Sequence, residues 1–211
     1  MKVIVCCCFL LLSISISGQQ YPKFSASQFD STSLKKEFGQ NKNFIPSFQL
    51  ATLVALSFYP ELKDSWITFR LVNEKSTAKT TISFVSLLLN NKRFIIYINK
   101  NESTTGLDFS QLSFNAQVGA IAHELAHVVD FNDRGLPGMM IWAIQYLRIN
   151  QRRKIERSTD GAVIDHQLGW QLYDFTNYVL QSPKTTGSYK NFKLKFYLHP
   201  DEIVTRINRS K

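Results

Sequence analysis

The sequence predicts an α+β fold, with a small, mostly antiparallel sheet packed on one central helix and with a helical C-terminal half. Three runs rich in β-branched and aromatic residues lie between residues 66 and 99. From residue 113 onward the apolar positions follow helical spacing, interrupted at short breaks. Residues 19–211 are long enough for one sizeable core and too short for two. We therefore expect a single domain over residues 19–211.

The first 18 residues have the composition of a secretory signal peptide. Lys2 places a positive charge at the start, an apolar run extends over residues 3–12, and small residues lead up to Gly18 and two glutamines. An uncleaved membrane anchor, the alternative, would need about 20 apolar residues. We therefore expect a secreted or periplasmic protein that begins near Gln19.

The elements before the central helix are predicted from prolines, turn residues and apolar spacing. A short helix is expected first, then an apolar helix that begins after Pro46 and ends before Pro60. Three strands follow, the last two separated by the turn-prone pair Asn90-Asn91. The predicted ranges are 33–38 and 47–58 for the helices, and 66–72, 80–88 and 93–99 for the strands.

The central helix is predicted to begin at a cap on Ser113 or Asn115 and to run to about Phe131. The helices after it are separated by breaks at residues 133–135, 169 and 182–183. One segment among them, residues 138–147, is apolar nearly all round and too short to span a bilayer. Its composition favours burial in the core, while a substrate-facing lid or a membrane-dipping helix stays open.

Cysteine content and charge exclude several classes of protein. Cys6, Cys7 and Cys8 are the only cysteines and lie in the predicted signal peptide, which excludes disulfides, zinc–thiolate sites and cysteine nucleophiles from the mature chain. The formal net charge is +9, but no RNP-type aromatic pattern, zinc finger or Gly-rich phosphate loop accompanies it. Nucleic acid is therefore not an expected partner. The basic stretch at residues 148–157 is interpreted as a solvated helix face.

Two histidines lie four residues apart in His123-Glu124-Leu125-Ala126-His127, an H-E-x-x-H motif. At about 100° per residue, this spacing leaves the imidazoles about 40° apart on a helix, so both can bind one ion. Glu124 projects beside them, where it can act on a water molecule rather than on the metal. The motif predicts a Zn²⁺ site on the central helix, with His123 and His127 as ligands and Glu124 as the catalytic residue.

A catalytic zinc needs three protein ligands and one open position. Glu156 is the predicted third ligand, because it begins Glu156-x-x-x-Asp160 in a helical context 29 residues after His127. On that helix Asp160 can accept an N–H from a ligating histidine and fix its tautomer. The alternative is an exposed helix in which these carboxylates form ion pairs with Arg153 and Arg157.

The two motifs together, His123-Glu124-x-x-His127 and Glu156-x-x-x-Asp160, resemble those of the gluzincin-type zinc metallopeptidases, in the thermolysin-like group and the CAAX-prenyl-type peptidases. The likeness is closest to uncharacterised secreted bacterial HExxH proteins, which have a later segment similar to residues 169–173. The resemblance covers about residues 60–200, and it implies a zincin-like metallopeptidase domain acting on a peptide or protein substrate. Thr159 stands where the CAAX-prenyl-type pattern usually has alanine.

Other residues compete for the third ligand position. Asp133 lies ten residues after His123, where metzincin-like enzymes place their third ligand, but that arrangement relies on a glycine where this chain has Asp130. Asp130 is an alternative acceptor for the N–H of a ligand. His166 lies about 80° from Glu156 around the helix and is expected to pack or to stabilise a transition state.

The resulting expectation is a secreted or periplasmic zinc peptidase. Zinc would lower the pKa of its water to about 7, and Glu124 would take that proton and pass it to the leaving amine. The candidate edge strand for substrate is 93–99, and His166 and Tyr173 are the candidate oxyanion partners. Two alternatives stay open: an inactive zinc-binding module, and a non-catalytic envelope protein whose segment 138–147 contacts membrane.

Overall fold

A computed structural model describes residues 21–73, 76–89, 91–100 and 105–210 of the chain. The predicted signal peptide at residues 1–18 lies outside the described residues. Among those that are described, each helix is too short or too polar to cross a bilayer. The architecture is α+β, as predicted, with one sheet, a long buried helix against it and a helical C-terminal half.

The first two helices form close to where the sequence places them. Helix α1 spans Ser31–Phe38, and the Asp30 side chain caps it by accepting a hydrogen bond from the N–H of Thr32. Helix α2 spans Gln49–Ser57 and follows a 3₁₀ turn that begins at Pro46. Most of α2 is buried, because its apolar residues face the core all round.

The sheet has four strands, and the expectation that it is mostly antiparallel is wrong. The strands are β1 (Lys42–Asn43), β2 (Trp66–Val72), β3 (Ala78–Ile82) and β4 (Arg93–Asn99), in the spatial order β1-β2-β4-β3. Strands β1 and β4 both run parallel to β2, and only β3 is antiparallel to its neighbour β4. Strands β2 and β3 follow one another in sequence but are not neighbours, because β4 lies between them in the sheet.

The predicted strand 80–88 is also shorter than expected. Strand β3 ends at Ile82, and residues Phe84–Leu88 form helix α3. The cause is Ser83, whose hydroxyl caps the helix by accepting from the N–H of Ser86, while the Ser86 hydroxyl donates to the carbonyl of Ser83. Helix α3 therefore occupies the second half of the predicted strand.

Helix α4, Phe114–Asn132, is the centre of the structure, and Ser113 caps it as predicted. The helices that follow are α5 (Leu136–Leu147), α6 (Ile149–Asp165), α7 (Gly169–Gln181), α8 (Gly187–Phe196) and α9 (Pro200–Arg209). Helix α4 packs mainly against α2, β3, α6 and α7. Contact between α4 and α7 is closest at Gly119, where a Cβ atom would lie 2.1 Å from the carbonyl oxygen of Gln171.

Helix α5 contains the apolar segment 138–147, and its expected burial in the core is wrong. No residue of this helix is buried. Met139 and Trp142 lie on the inner side and pack against the core, with the Trp142 ring 4.8 Å from that of Phe131. The outer side has no described partner, so large apolar residues are exposed there: Met140, Ile141, Ile144 and Leu147.

Candidate metal centre

Helix α4 carries the three residues of the H-E-x-x-H motif in a buried environment. His123, Glu124 and His127 are 5, 6 and 7% exposed, respectively. The helical spacing brings the two imidazoles side by side, with ring centroids 4.9 Å apart and planes nearly perpendicular. Leu125 and Val128, on the other side of α4, are fully buried and fix the helix in the core. The histidine pair is therefore held rigidly.

Helix α6 brings Glu156 to the histidine pair. Its Oε2 lies 3.2 Å from Nε2 of His123 and 3.5 Å from Nε2 of His127, and the three donor atoms lie within 4.8 Å of one another. Zinc–ligand bonds of about 2.0–2.1 Å place neighbouring donors of a tetrahedral site about 3.3 Å apart. Both distances to Glu156 agree with that spacing, so His123, His127 and Glu156 form a buried group that can hold a metal ion. These three residues are called the metal group below.

Asp160, one turn after Glu156, holds His123 in place. Its Oδ1 lies 2.9 Å from Nδ1 of His123, and its Oδ2 accepts a hydrogen bond of 2.8 Å from the N–H of Leu198. With Nδ1–H donating to this carboxylate, the imidazole has its Nε2 lone pair directed at the metal group. His127 has a weaker neighbour, since the hydroxyl of Thr159 lies 3.5 Å from its Nδ1.

The charges of the group are strongly coupled. Burial acts to lower the pKa of His123, but hydrogen bonds with Asp160 and Glu156 outweigh burial and raise that pKa to about 10. Burial acts to raise the pKa of Glu156, but hydrogen bonds from His123 and His127 hold it well below its usual range. Buried carboxylates of this kind require nearby positive charge, which a divalent cation supplies.

A buried lysine also lies near this group. Lys193 of α8 is 6% exposed, and its Nζ lies 3.4 Å from the centroid of the Tyr197 ring. Burial lowers the pKa of Lys193, against the attraction of Asp160, Glu156 and Glu124. Three buried carboxylates and one lysine thus lie around the histidines. The excess of negative charge favours binding of a divalent cation.

Glu124 does not belong to the group of possible metal ligands, and it faces the cavity beside that group. The hydroxyl of Thr80, on β3, lies 2.7 Å from Oε2 of Glu124 and 3.0 Å from the Glu124 carbonyl oxygen. Strand β3 therefore contacts helix α4 directly at this glutamate. The contact leaves Glu124 positioned next to the metal group but separate from it.

A cavity of about 800 Å³ opens over the metal group. Strand β3 forms one wall and helices α5, α6 and α8 form the others, with aromatic side chains prominent among them. Three of these side chains are tyrosines. Tyr146 donates a hydrogen bond to Oε1 of Glu156, the hydroxyl of Tyr189 lies 2.8 Å from that of Thr77, and the Tyr197 ring centroid lies 5.4 Å from that of His123.

The remaining residues singled out from sequence lie away from the cavity. Asp130 pairs with Arg134, 2.7 Å apart at the closest atoms, and Asp133 is the exposed C-cap of α4. His199 is at the N-cap of α9.

The two candidate oxyanion partners also lie outside the lining of the cavity. His166 stacks on the ring of Tyr59, with its Nε2 2.7 Å from Oε1 of Glu61. Tyr173 packs edge-on against the rings of Tyr21 and Trp170. Residues that do face the cavity are therefore better placed than His166 and Tyr173 to contact a ligand there.

Several residues that line the cavity are not predicted as site residues from the sequence. They lie in β3, α5, α6 and α8 or at the C-cap of α8, and no motif connects them: Thr80, Tyr146, Arg152, Tyr189 and Tyr197. The ten-residue interval between Tyr146 and Glu156 spans a break between two helices, so helical periodicity does not relate the two positions. Only the folded arrangement brings these side chains to one cavity.

The fold and the site together define a class: an α+β protein with a buried His-His-Glu group suited to a metal ion. Comparisons with protein-family models, with curated proteins and with solved structures yield no match. The class therefore rests on the geometry of the site.

Proposed function

We propose that the protein is a zinc-dependent peptidase, secreted or periplasmic, whose ligands are His123, His127 and Glu156. The observation that carries the proposal is the separation of two buried glutamates. Glu156 lies within hydrogen-bond distance of His123, whereas Glu124 faces the cavity and is held by Thr80. A ligand and a general base in these positions are what zinc-assisted hydrolysis requires.

The roles of the chain's own residues follow from their positions. Bound zinc would act as a Lewis acid on the scissile carbonyl and lower the pKa of a water molecule. Glu124 takes the proton of the attacking water and later passes it to the leaving amine. Asp160 fixes the tautomer of His123. The hydroxyls of Tyr146, Tyr189 and Tyr197 belong to side chains at the cavity, so these tyrosines replace His166 and Tyr173 as candidate donors to the oxyanion.

The substrate strand must be reassigned. Strand β4 lies between β2 and β3, so the expectation that residues 93–99 form the edge is wrong. Strand β3 is an edge of the described sheet, and Ala78–Ile82 line the cavity beside Glu124. An extended peptide that pairs with β3 would therefore pass over the metal group.

The test is hydrolysis of a mixed peptide pool by residues 19–211 loaded with zinc, followed by mass spectrometry. We expect cleavage by the wild type, and loss of cleavage by orders of magnitude in Glu124→Gln at an unchanged zinc content of about one equivalent. Zinc binding without cleavage by the wild type would favour the inactive zinc-binding module. Equal cleavage by the two proteins would overturn the role of Glu124.

Membrane-surface binding is a second candidate function, and the outer side of α5 favours it. Met140, Ile141, Ile144 and Leu147 are 55–84% exposed. The interval 134–155 contains five basic residues and no acidic residue, a combination suited to an anionic lipid surface.

Vesicle sedimentation in the presence of EDTA tests this candidate independently of zinc. We expect residues 19–211 to bind phosphatidylcholine vesicles that contain phosphatidylglycerol, and the double variant Ile144→Ser, Leu147→Ser to lose binding. The control is Val85→Ser with Leu89→Ser, which removes two similarly exposed apolar residues, one in α3 and one at its C-cap. Equal binding by both variants, or concentration-dependent dimers without vesicle binding, would eliminate a lipid role for α5.

A further inference from the structure

Arg152 is a cation in the cavity wall with aromatic neighbours. It lies on α6 one turn before Glu156 and lines the cavity. Its guanidinium carbon lies 4.6, 4.8 and 4.7 Å from the ring centroids of Tyr146, Phe192 and Phe196. These rings hold the side chain in place on its faces. They leave the buried Nε–H without an acceptor, because aromatic rings attract the charge and do not replace an oxygen partner.

The hydrogen bonding of Arg152 differs from that of three other arginines. Arg134 pairs with Asp130, Arg157 pairs with Glu202, and the Nε of Arg153 donates to the carbonyl of Lys195. The Nε of Arg152 is buried and has no partner, and no described carboxylate forms an ion pair with this side chain. A planar guanidinium held in this way is suited to bind a carboxylate through two parallel hydrogen bonds.

The position of Tyr146 between Arg152 and Glu156 suggests which carboxylate Arg152 binds. The Tyr146 ring faces the guanidinium, and the Tyr146 hydroxyl donates to Glu156. The length of one tyrosine side chain corresponds to about one or two extended residues, at about 3.4 Å each. A peptide whose scissile bond lies over the metal group would thus bring its C-terminus to Arg152.

We propose that Arg152 binds the terminal carboxylate of the substrate, so that the enzyme releases one or two residues from the C-terminus. This proposal rests on the proposed peptidase function. The aromatic rings around Arg152 favour apolar side chains next to that carboxylate. Lys79, the other basic residue that lines the cavity, is exposed on β3 and lacks such an enclosure.

Binding can be measured without hydrolysis, by calorimetry with the zinc-loaded Glu124→Gln protein. The probes are N-acetyl-alanyl-phenylalanyl-phenylalanine as the free acid and as the C-terminal amide. We expect the acid to bind about 10- to 100-fold more tightly than the amide, the range of a charge-assisted hydrogen bond. Arg152→Gln should remove this difference, and Arg152→Lys should retain part of it. Arg153→Gln, the exposed neighbour, should leave it unchanged.

A third probe distinguishes the source of the carboxylate. The amide N-acetyl-alanyl-phenylalanyl-glutamate amide carries its carboxylate on a side chain. Binding of this probe as tightly as the free acid would overturn the C-terminal assignment, as would equal affinity of acid and amide for the protein with Arg152 intact. Failure of hydrolysis in the wild type would remove the peptidase proposal, while the binding comparison would still decide whether Arg152 recognises a carboxylate.

Discussion

Oδ1 of Asp160 lies 2.9 Å from Nδ1 of His123, so the helix that carries Glu156 also orients His123. Both residues are buried, and the other oxygen of Asp160 accepts a hydrogen bond from the N–H of Leu198. His123 therefore directs its Nε2 towards the candidate metal position in one orientation. Loss of the Asp160 charge should be felt at the metal although Asp160 is not among the three ligands.

We therefore expect Asp160→Asn to weaken zinc binding by about 10- to 100-fold. The reason is that an amide is a poorer acceptor than a carboxylate for the Nδ1–H of His123, which makes Nε2 a weaker ligand. Competition with a chromophoric zinc chelator measures the affinity. Asp165→Asn is the control, because Asp165 ends the same helix and is exposed. Equal affinities of both variants and the wild type would remove the role of Asp160.

The third ligand can be decided by two substitutions. Glu156→Gln removes the anionic donor next to both imidazoles, so zinc affinity and activity should fall together. Asp133→Asn should leave both unchanged, because Asp133 is exposed at the end of α4. Zinc analysis by mass spectrometry after dialysis measures the content. Retention of zinc by Glu156→Gln with its loss in Asp133→Asn would reverse the assignment.

The metal group can be predicted from the sequence because its geometry is mostly local. A spacing of four fixes His123 and His127 on one helix face, and Glu156 required only that the next polar helix pack against that face. The sheet was not accessible in the same way. Pairing of β2 with β4 depends on a crossover, and the β-rich composition of residues 66–99 is compatible with either strand direction.

Helix α5 shows a second feature that the sequence alone does not predict, namely which side of a helix is buried. Its sequence is apolar on every side, and composition alone does not distinguish a helix enclosed by the core from one that covers a cavity with its outer side exposed. Tyr146 and Trp142 face inward, whereas Ile144 and Leu147 face outward, only because α5 packs along α6 at the rim of the cavity.

Gly119 should be essential for stability. A methyl group there would meet the backbone of Gln171 at 2.1–2.3 Å, where neither helix can yield without shifting α4 against α7. Gly119→Ala should therefore lower the free energy of unfolding by about 1–3 kcal/mol or more, measured by urea denaturation. Gly187→Ala is the control, since nothing lies within 4 Å of the position of its Cβ. A neutral Gly119→Ala would mean that the two helices are less closely packed.

Stability should depend on acidic pH through Glu202. Its hydrogen bonds from Arg157 outweigh the opposing effect of burial and, with the N–H of His199, lower the pKa of Glu202 to about 2 from 4.5. A carboxyl with a depressed pKa in the folded state stabilises fully above the unfolded value and loses this contribution as the pH falls towards 2.

Urea denaturation of the wild type and Glu202→Gln between pH 7 and pH 2 measures this contribution. The pair is largely exposed, so we expect a difference of about 0.5–1 kcal/mol at pH 7. The difference should shrink as the pH decreases from about 5 to 2. A difference that is constant over this range would show that Glu202 acts through packing and not through its charge.

Thr80 should position the catalytic base. Its hydroxyl lies 2.7 Å from Oε2 of Glu124, and no metal ligand depends on it. Thr80→Val keeps the shape of the side chain and removes the donor, so Glu124 gains freedom to turn away from the attacking water. Misplacement of a catalytic group by about 1 Å can cost about 100-fold in rate, and we expect kcat to fall by about 10- to 100-fold. KM and zinc content should change little, because the substitution keeps the backbone of β3 that would pair with substrate and removes no metal ligand. Steady-state kinetics on a peptide identified from the mixed pool measure both constants.

Thr80→Ser restores the hydroxyl and should recover most of the activity. If Thr80→Ser is as impaired as Thr80→Val, the methyl group of Thr80 and not its hydroxyl supports catalysis, and the positioning role is wrong.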